Sequence, residues 1–339
     1  MTKTDKKSVV LIPGDGIGPE ITESCTAILE ATGAQIKWVP AIAGESALKE
    51  TGEFVPQKTL DLIAKHGVAL KGPIATPIGK GHPSANVMMR RHFKLFANVR
   101  PVKTIPGIPS RFEGIDIVIV RENTEDLYSG IEHEILPGVV ESIKVITAEA
   151  SERIAKFSFD YCRVHGRRKV TSVHKANIMK KSDGLFINSI KKVHKDYPDI
   201  EYDEVIVDNL CHQLVINPQQ YDVLVCQNLY GDIVSDLCAG LVGGLGVVPG
   251  SNYGKECAIF EAVHGTAPDI AGKGIANPSA MLMSARLMLE HLGFREEADC
   301  LKGTHEGVLS SGRKGLTKDL GGEASTKEFT QAIIQKLQK

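Results

Sequence analysis

Two aspartates stand four residues apart, at Asp232 and Asp236. This spacing places both carboxylates on one face of a helix, where like charges repel and a bound cation is favoured. Ligands that are all oxygen favour Mg²⁺ or Mn²⁺ over zinc. Asp208, which follows a short apolar run, could supply a third oxygen ligand. The alternative for Asp232 is an acid stabilised by the helix dipole, which explains Asp232 better than Asp236.

Three arginines could bind a substrate that carries several carboxylates. Arg90 lies one turn beyond Asn86 on a predicted helix that begins near Ser84. Arg100 and Arg121 belong to apolar segments, and a charge that ends such a strand is costly without a partner. Strand ends are also where α/β sheets bind ligands, and each guanidinium can grip a carboxylate with two hydrogen bonds. Ordinary surface ion pairs are the alternative, and for Arg90 alone we favour it.

Other segments could complete a site. Tyr128 and Lys175 are possible proton-transfer groups. A loop rich in glycine and alanine runs over residues 261–272, and it would let a flat ligand approach closely. An acidic side chain there could bind the two ribose hydroxyls of NAD and repel a 2′-phosphate. The alternative is a plain surface loop.

A glycine cluster at residues 11–20 superficially resembles a dinucleotide-binding fingerprint. It follows a predicted strand and opens a predicted helix, but Pro19 stands where the third glycine of G-x-G-x-x-G is required. Proline suits the first turn of a helix. The cluster is therefore weak support for nucleotide binding, and a tight structural turn is the alternative.

An α/β framework must position these residues. Short β-branched runs at residues 9–12, 115–120, 205–207 and 223–226 are predicted strands. Helical patterns cover residues 21–31, 59–65, 148–164, 183–195, 281–292 and 325–337. The alternation predicts sheets covered by helices on both faces. Segments 106–109 and 246–250, rich in proline and glycine, mark possible crossings between two domains.

Composition narrows the class of protein. The chain has 339 residues, with 40 Lys and Arg against 41 Asp and Glu, so no global basic field attracts nucleic acid or a membrane surface. Seven cysteines without a Cys-x-x-Cys pair argue against a disulfide framework or a structural zinc site. No segment is predicted to span a membrane and the N-terminus lacks a signal-peptide core. We therefore expect a cytoplasmic protein.

Several long motifs occur here in one order. They are Pro13-Gly-Asp-Gly-Ile-Gly-Pro-Glu20, Lys71-Gly-Pro, Ala97-Asn-Val-Arg-Pro101, Arg121-Glu-Asn-Thr-Glu-Asp-Leu-Tyr128, His174-Lys-Ala-Asn-Ile-Met179, Asn228-Leu-Tyr-Gly-Asp-Ile-Val-Ser-Asp236 and the His264 loop. Together they resemble the isocitrate/isopropylmalate (β-decarboxylating) dehydrogenase family over nearly the whole chain. The resemblance implies an isopropylmalate dehydrogenase-like α/β fold that is not a Rossmann fold. A large cofactor-binding domain would comprise residues 1–100 and 254–339, and a small domain residues 101–253.

The resemblance also implies a reaction. It is the NAD-dependent oxidative decarboxylation of isocitrate to 2-oxoglutarate and carbon dioxide, with Mg²⁺ or Mn²⁺, in a homodimer with shared active sites. Polar Ser84 and Asn86 favour isocitrate over isopropylmalate, whose enzymes place apolar residues near position 84. Homoisocitrate dehydrogenase is the runner-up. A non-catalytic regulatory subunit is disfavoured because suitable side chains occupy every position carried over from the family.

Residue roles follow from the resemblance as expectations. Substrate carboxylates would be held by Ser84, Asn86, Arg90, Arg100 and Arg121. The metal would be held by Asp232 and Asp236 of one chain and by Asp208 of the partner. Lys175 of the partner subunit would assist deprotonation of the hydroxyl, and Tyr128 would protonate the product carbon. NAD would contact Lys71, Thr76 and Asn86 near the nicotinamide, and His264, Gly265, Thr266, Ala267, Pro268, Asp269, Ile270 and Asn277 around the adenosine.

Overall fold

The computed structural model describes residues 6–75 and 84–338. The strands are β1 Lys7–Ile12, β2 Ile36–Pro40, β3 Val68–Lys71, β4 Ala97–Lys103, β5 Asp116–Glu122, β6 Glu132–Leu136, β7 Val139–Ser142, β8 Lys169–His174, β9 Glu201–Ile206, β10 Val223–Cys226, β11 Pro249–Tyr253 and β12 Ala258–Ala262. The helices are α1 Gly18–Ala31, α2 Glu45–Thr51, α3 Gln57–His66, α4 Ala85–His92, α5 Ala148–Val164, α6 Ser182–His194, α7 Val207–Ile216, α8 Asn228–Leu241, α9 Ser279–Leu292, α10 Arg295–Leu309 and α11 Thr326–Leu337.

Local sequence signals account for the best-predicted helices. The side chain of Thr147 accepts a hydrogen bond from the amide of Ala150 and so caps α5. At α11, Ser325 and Glu328 form a reciprocal capping box. The six predicted helices are all present, with ends within three residues of those expected. One predicted strand is placed too far along the chain, because β9 ends at Ile206 and α7 begins at the next residue.

One compact unit comprises residues 1–93, 104–111 and 242–339. Its strands lie in the order β2-β1-β3-β12-β11. The first four are parallel, whereas β11 pairs antiparallel with β12. Helix α9, in which ten of fourteen residues are buried, packs on β11 and β12. Both ends of the chain therefore build this unit.

The second unit comprises residues 94–103 and 112–241, with strands in the order β4-β5-β10-β8-β9. β4 is antiparallel to β5, and the other pairs are parallel. The register sets Arg121 beside Cys226 and Cys226 beside Val173. The residues that follow these strands consequently meet at one edge, as is usual for ligand sites in α/β sheets. A separate hairpin, β6–β7, belongs to the same unit.

The contacts shift the predicted domain limits at residues 100 and 254. β4 joins the second unit because it pairs with β5 along its whole length. Residues 242–253 join the first unit because β11 pairs with β12. Both limits are set by pairing between strands that are distant in sequence. The segments rich in proline and glycine, residues 106–109 and 246–250, indicate only loops near these limits.

The glycine cluster at residues 13–18 forms a tight structural turn. Gly14 and Gly16 have φ of 79° and 59°, and a methyl group at Gly16 would lie 2.0 Å from the carbonyl oxygen of Thr266. The carboxylate of Asp15 accepts hydrogen bonds from the amides of Glu45 and Ala75. These contacts explain the motif by backbone geometry and close packing.

Among the helices of the described ranges, none has both the length and the apolar character needed to cross a membrane.

Candidate active site

Two arginines and two aspartates form a cluster in the second unit. Nη1 of Arg100 lies 2.9 Å from Oδ1 of Asp236 and donates to Oγ of Ser235 at 2.6 Å. Nη2 of Arg100 is 3.8 Å from Oδ1 of Asp232. Nη1 of Arg121 donates to the same oxygen of Asp232. Both buried arginines therefore pair with carboxylates of the chain itself.

Helix α8 presents both aspartates to the arginines because Asp236 follows Asp232 by about one turn. Asp232 is the fifth residue of α8, beyond the reach of most of the dipole effect at the first turn. The guanidinium groups thus explain its position better than the dipole does. Asn228, the first residue of α8, accepts a 2.9 Å hydrogen bond from Nε of Arg121.

Tyr128 completes this cluster. Its hydroxyl donates to Oδ2 of Asp232, and the guanidinium carbon of Arg121 lies 4.9 Å from the centre of its ring. Burial and the hydrogen bond to the Asp232 carboxylate raise the pKa of Tyr128. The hydroxyl is a candidate proton donor, and its direction is set by the hydrogen bond to Asp232.

The carboxylates suit a hard divalent cation. The side chains of Asp232 and Asp236 are 36% and 55% exposed, whereas those of Arg100 and Arg121 are 8% and 1% exposed. Both carboxylates are therefore open to solvent, and carboxylate oxygens are the ligands that Mg²⁺ and Mn²⁺ prefer. Within the described part of the chain, no three histidine, cysteine, aspartate or glutamate side chains converge as a metal site. Asp208 does not join the other two aspartates within one chain.

Lys175 and Asp208 instead pair with each other, with Nζ of Lys175 2.5 Å from Oδ1 of Asp208. This hydrogen bond lowers the pKa of Asp208. Lys175 follows β8 and Asp208 lies in the first turn of α7. The backbone amide of Lys175 donates to Oδ2 of the buried Asp183 at 2.6 Å. The two residues that the family resemblance assigns to the site of the partner chain, Lys175 and Asp208, are thus in contact with each other.

In the first unit, Glu261 joins two predicted site residues. Its Oε2 lies 2.8 Å from Nζ of Lys71, and its Oε1 lies 3.2 Å from Nη2 of Arg90. Asn252 also donates to Oε1 at 2.8 Å. Burial opposes ionisation, but the two cations hold the pKa of Glu261 well below its usual range. The sequence interpretation missed Glu261, whose only signal was an acid at the end of an apolar strand.

The other predicted substrate residues lie at the start of α4. Ser84 occupies the N-cap position, but its side chain makes no capping hydrogen bond. Oδ1 of Asn86 is buried and finds no hydrogen-bond partner in residues 6–75 or 84–338. Thr76, a predicted contact of the nicotinamide, lies outside the described residues.

A cleft of about 360 Å³ lies in the first unit beside the predicted adenosine loop. It is lined by Ile17, Gly246, His264, Gly265, Ala267, Ile270, Ile275, Asn277, Lys318 and Asp319. The apolar members suit the faces of a flat base. Nε2 of His264 has no hydrogen-bond partner among the described residues. Thr266, Pro268 and Asp269 belong to the same loop but not to this lining.

The comparisons with known proteins agree with this arrangement. A family model for isocitrate/isopropylmalate dehydrogenase matches residues 8–333. The chain belongs to this dehydrogenase family. It is 49% identical over 337 residues to a catalytic subunit of the mitochondrial NAD isocitrate dehydrogenase of Arabidopsis thaliana, covering 99% of this chain and 90% of the relative.

Two further relatives of the dehydrogenase family are similar over nearly their full length. One, from Dictyostelium discoideum, is named as a regulatory subunit of mitochondrial NAD isocitrate dehydrogenase and is 51% identical, with 98% of this chain and 92% of the relative covered. The crystal structure of isocitrate dehydrogenase from Methylococcus capsulatus superposes with a TM-score of 0.95 at 46% identity, covering 98% of this chain and 99% of that one. The predicted family and fold class are confirmed.

The comparisons correct the prediction of a cytoplasmic enzyme. The relatives from Arabidopsis thaliana and Dictyostelium discoideum are named as mitochondrial subunits, which contradicts the expected location. The prediction failed because it rested on ordinary composition, reduced cysteines and a short polar N-terminus. None of these features distinguishes one reducing compartment from another.

Proposed function

We propose that this chain catalyses the NAD-dependent oxidative decarboxylation of isocitrate to 2-oxoglutarate and carbon dioxide, with Mg²⁺ or Mn²⁺. The observation that carries the proposal is the convergence of Arg100, Arg121 and the Tyr128 hydroxyl on Asp232 and Asp236. Two fixed positive groups, a proton donor and two oxygen ligands are what a polycarboxylate substrate and a hard cation require. The names of the relatives support the same activity.

On binding of substrate and cation, Arg100 and Arg121 would exchange their aspartate partners for the carboxylates of the substrate. The Asp232 and Asp236 carboxylates now occupy the donors of Arg100 and Arg121, and they stand where substrate carboxylates would bind. A divalent cation held by the aspartates would leave these donors for the substrate. Tyr128 then gives its proton to the carbon that loses carbon dioxide. Ser84, Asn86 and Arg90 remain proposed substrate ligands on the family resemblance.

Two bound groups supply the rest of the chemistry. When bound, the cation stabilises negative charge that develops on substrate oxygens, and NAD accepts the hydride. We propose that the cleft beside His264 holds the adenosine, with Ile270 against the base. Asp269, exposed on the same loop, would accept hydrogen bonds from ribose hydroxyls and repel a 2′-phosphate. Lys71 would lie near the nicotinamide.

A homodimer with shared sites is part of the proposal. Four apolar side chains of the β6–β7 hairpin, Ile135, Leu136, Val139 and Val140, are between 48% and 62% exposed. An apolar surface of this kind is typical of a protein interface. Asp208 and Lys175 are also paired away from the other metal ligands. We infer that they serve the site of the partner chain.

Mixed dimers test the shared site. Lys175→Ala and Asp232→Asn should each be inactive alone. In a mixed dimer one site carries both defects and the other carries neither, because a two-fold interface is reciprocal. Random co-assembly makes half the dimers mixed, each with one good site, so roughly a quarter of wild-type activity should return. Differentially tagged mixed dimers as inactive as the parents would exclude sharing.

A regulatory role is the second candidate function, because the relative from Dictyostelium discoideum is named as a regulatory subunit. The deciding experiment is a steady-state assay of the purified chain alone. We expect turnover of isocitrate with NAD, and little with isopropylmalate, homoisocitrate or NADP. Isocitrate turnover only after a second, different chain is added would favour the regulatory role. Preferred turnover of another substrate would replace the proposed one.

A further inference from the structure

One residue beside the proposed proton donor has an unusual backbone conformation. Asp126 has φ of 74° and ψ of −152°, a region that is populated almost only by glycine. Its side chain is also 1% exposed, so it is both strained and buried. Residues in such conformations persist only where several contacts hold them, and they cluster at functional sites.

Hydrogen bonds on three sides hold Asp126. Its amide donates to the carbonyl of Val145 at 2.8 Å, and its own carbonyl accepts from the amide of Ser129 at 3.1 Å. Its Oδ2 accepts from the amide of Leu229 at 2.8 Å. Its Oδ1 lies 4.0 Å from Nζ of Lys144 and has no hydrogen-bond partner in the described ranges.

These contacts fasten one turn to the start of α8. The 3-10 turn Leu127–Ser129, which carries Tyr128, begins directly after Asp126. Leu229 is the second residue of α8, and Asp232 lies three residues further along. Nδ2 of Asn228 donates to the carbonyl of Glu125 at 3.1 Å, which is a second hydrogen bond between the start of α8 and the segment before the turn. Asp126 therefore connects the turn that carries Tyr128 to the helix that carries Asp232.

We propose that Asp126 is a positioning residue that places the Tyr128 hydroxyl beside Asp232. Its carboxylate exerts this effect through the amide of Leu229, and the strained backbone aims the turn so that the tyrosine ring lies under Arg121. A relaxed conformation would direct the chain elsewhere after Asp126. This role rests on the proposed function, because it gives Tyr128 the task of donating a proton.

Substitution of Asp126 by glycine or by asparagine distinguishes the effect of the backbone conformation from the effect of the carboxylate. Asp126→Gly can adopt the observed φ and ψ without strain, but it removes the hydrogen bond with the amide of Leu229. Asp126→Asn keeps an oxygen that can accept the same hydrogen bond. We expect kcat of Asp126→Gly to fall by about tenfold to a hundredfold, as for a catalytic group displaced by roughly an ångström. KM for isocitrate should stay within about threefold, and Asp126→Asn should restore most of kcat.

A double-mutant cycle with Tyr128→Phe shows whether the effect passes through the tyrosine. In the Tyr128→Phe background, Asp126→Gly should lower kcat by less than about twofold, because the group that it positions is already gone. An equal loss in both backgrounds would overturn the proposal, and so would unchanged kcat in Asp126→Gly.

Melting temperatures distinguish positioning from folding. Asp126→Gly should melt close to the wild type, because relief of backbone strain offsets the lost hydrogen bond. A variant that does not fold would overturn the proposal, since the role would then be structural only. Absence of isocitrate turnover by the wild type would instead refute the proposed function.

Discussion

Gly231 lies where α8 packs on Arg121, and replacing it with alanine tests how tightly that arginine is held. A methyl group there would lie 2.5 Å from Cγ and 2.7 Å from Cβ of Arg121. Carbon atoms pack at about 3.5–4.0 Å, so Arg121 or α8 must move by roughly 1 Å. Arg121 is 1% exposed, so its side chain is enclosed by other parts of the protein.

The magnitudes predict an effect on activity larger than the effect on stability. Overpacking costs about 1–3 kcal/mol, and alanine regains about 1 kcal/mol of helix propensity over glycine. The free energy of unfolding should therefore fall by about 0–2 kcal/mol. The guanidinium of Arg121 is moved out of line with Asp232 and the substrate, and a 1 Å displacement lowers kcat/KM by about a hundredfold.

Gly240 provides the matched control on the same helix. Apart from the backbone of its own helix, a methyl group at Gly240 would meet no atom of the described residues within 4 Å. Gly240→Ala should raise the free energy of unfolding by up to about 1 kcal/mol and leave kcat/KM unchanged. Urea unfolding and steady-state turnover of isocitrate measure both quantities for both variants. The reasoning fails if folded Gly231→Ala keeps kcat/KM within about threefold of the wild type.

Three further predictions concern the metal, the cofactor and pH. Chelation with EDTA should abolish isocitrate oxidation and Mn²⁺ or Mg²⁺ should restore it, because the proposed reaction requires a cation that Asp232 and Asp236 would hold. Full activity after thorough chelation would contradict this. Asp269→Lys with Ile270→Tyr should shift the kcat/KM ratio from NAD toward NADP, since the pair replaces an acid that would repel a 2′-phosphate with a cation and a hydroxyl that could bind it. An unchanged ratio would count against the proposed adenosine loop. Burial lowers the pKa of His305 to about 4. As pH falls, the unfolded chain therefore binds a proton at this histidine before the folded chain does. The free energy of unfolding should consequently fall by roughly 3 kcal/mol between pH of about 6.5 and 4. The slope of unfolding free energy against pH in that window should flatten in His305→Gln, and an identical slope would refute the assignment.

Short-range features of the fold could be predicted from the sequence. The caps of α5 and α11 and their apolar periodicity depend on residues within one or two turns, so their predicted limits match the structure closely. The placement of Asp232 and Asp236 on one face of α8 is equally local. The sequence also indicated that Arg121 needs a partner, because a charge at the end of an apolar strand is costly without one.

Only the tertiary structure decided which groups meet. Arg121 reaches Asp232 across 111 residues because β5 and β10 lie side by side in parallel. Glu261 stands next to Lys71 because the register of β12 on β3 pairs those two residues, and no local pattern encodes that register. The glycine-like backbone of Asp126 likewise depends on Val145 and Leu229, which are distant in sequence. Spacing along the chain constrains neighbours within a helix or strand, whereas partners across a sheet follow from strand order and register, which depend on how the whole core packs.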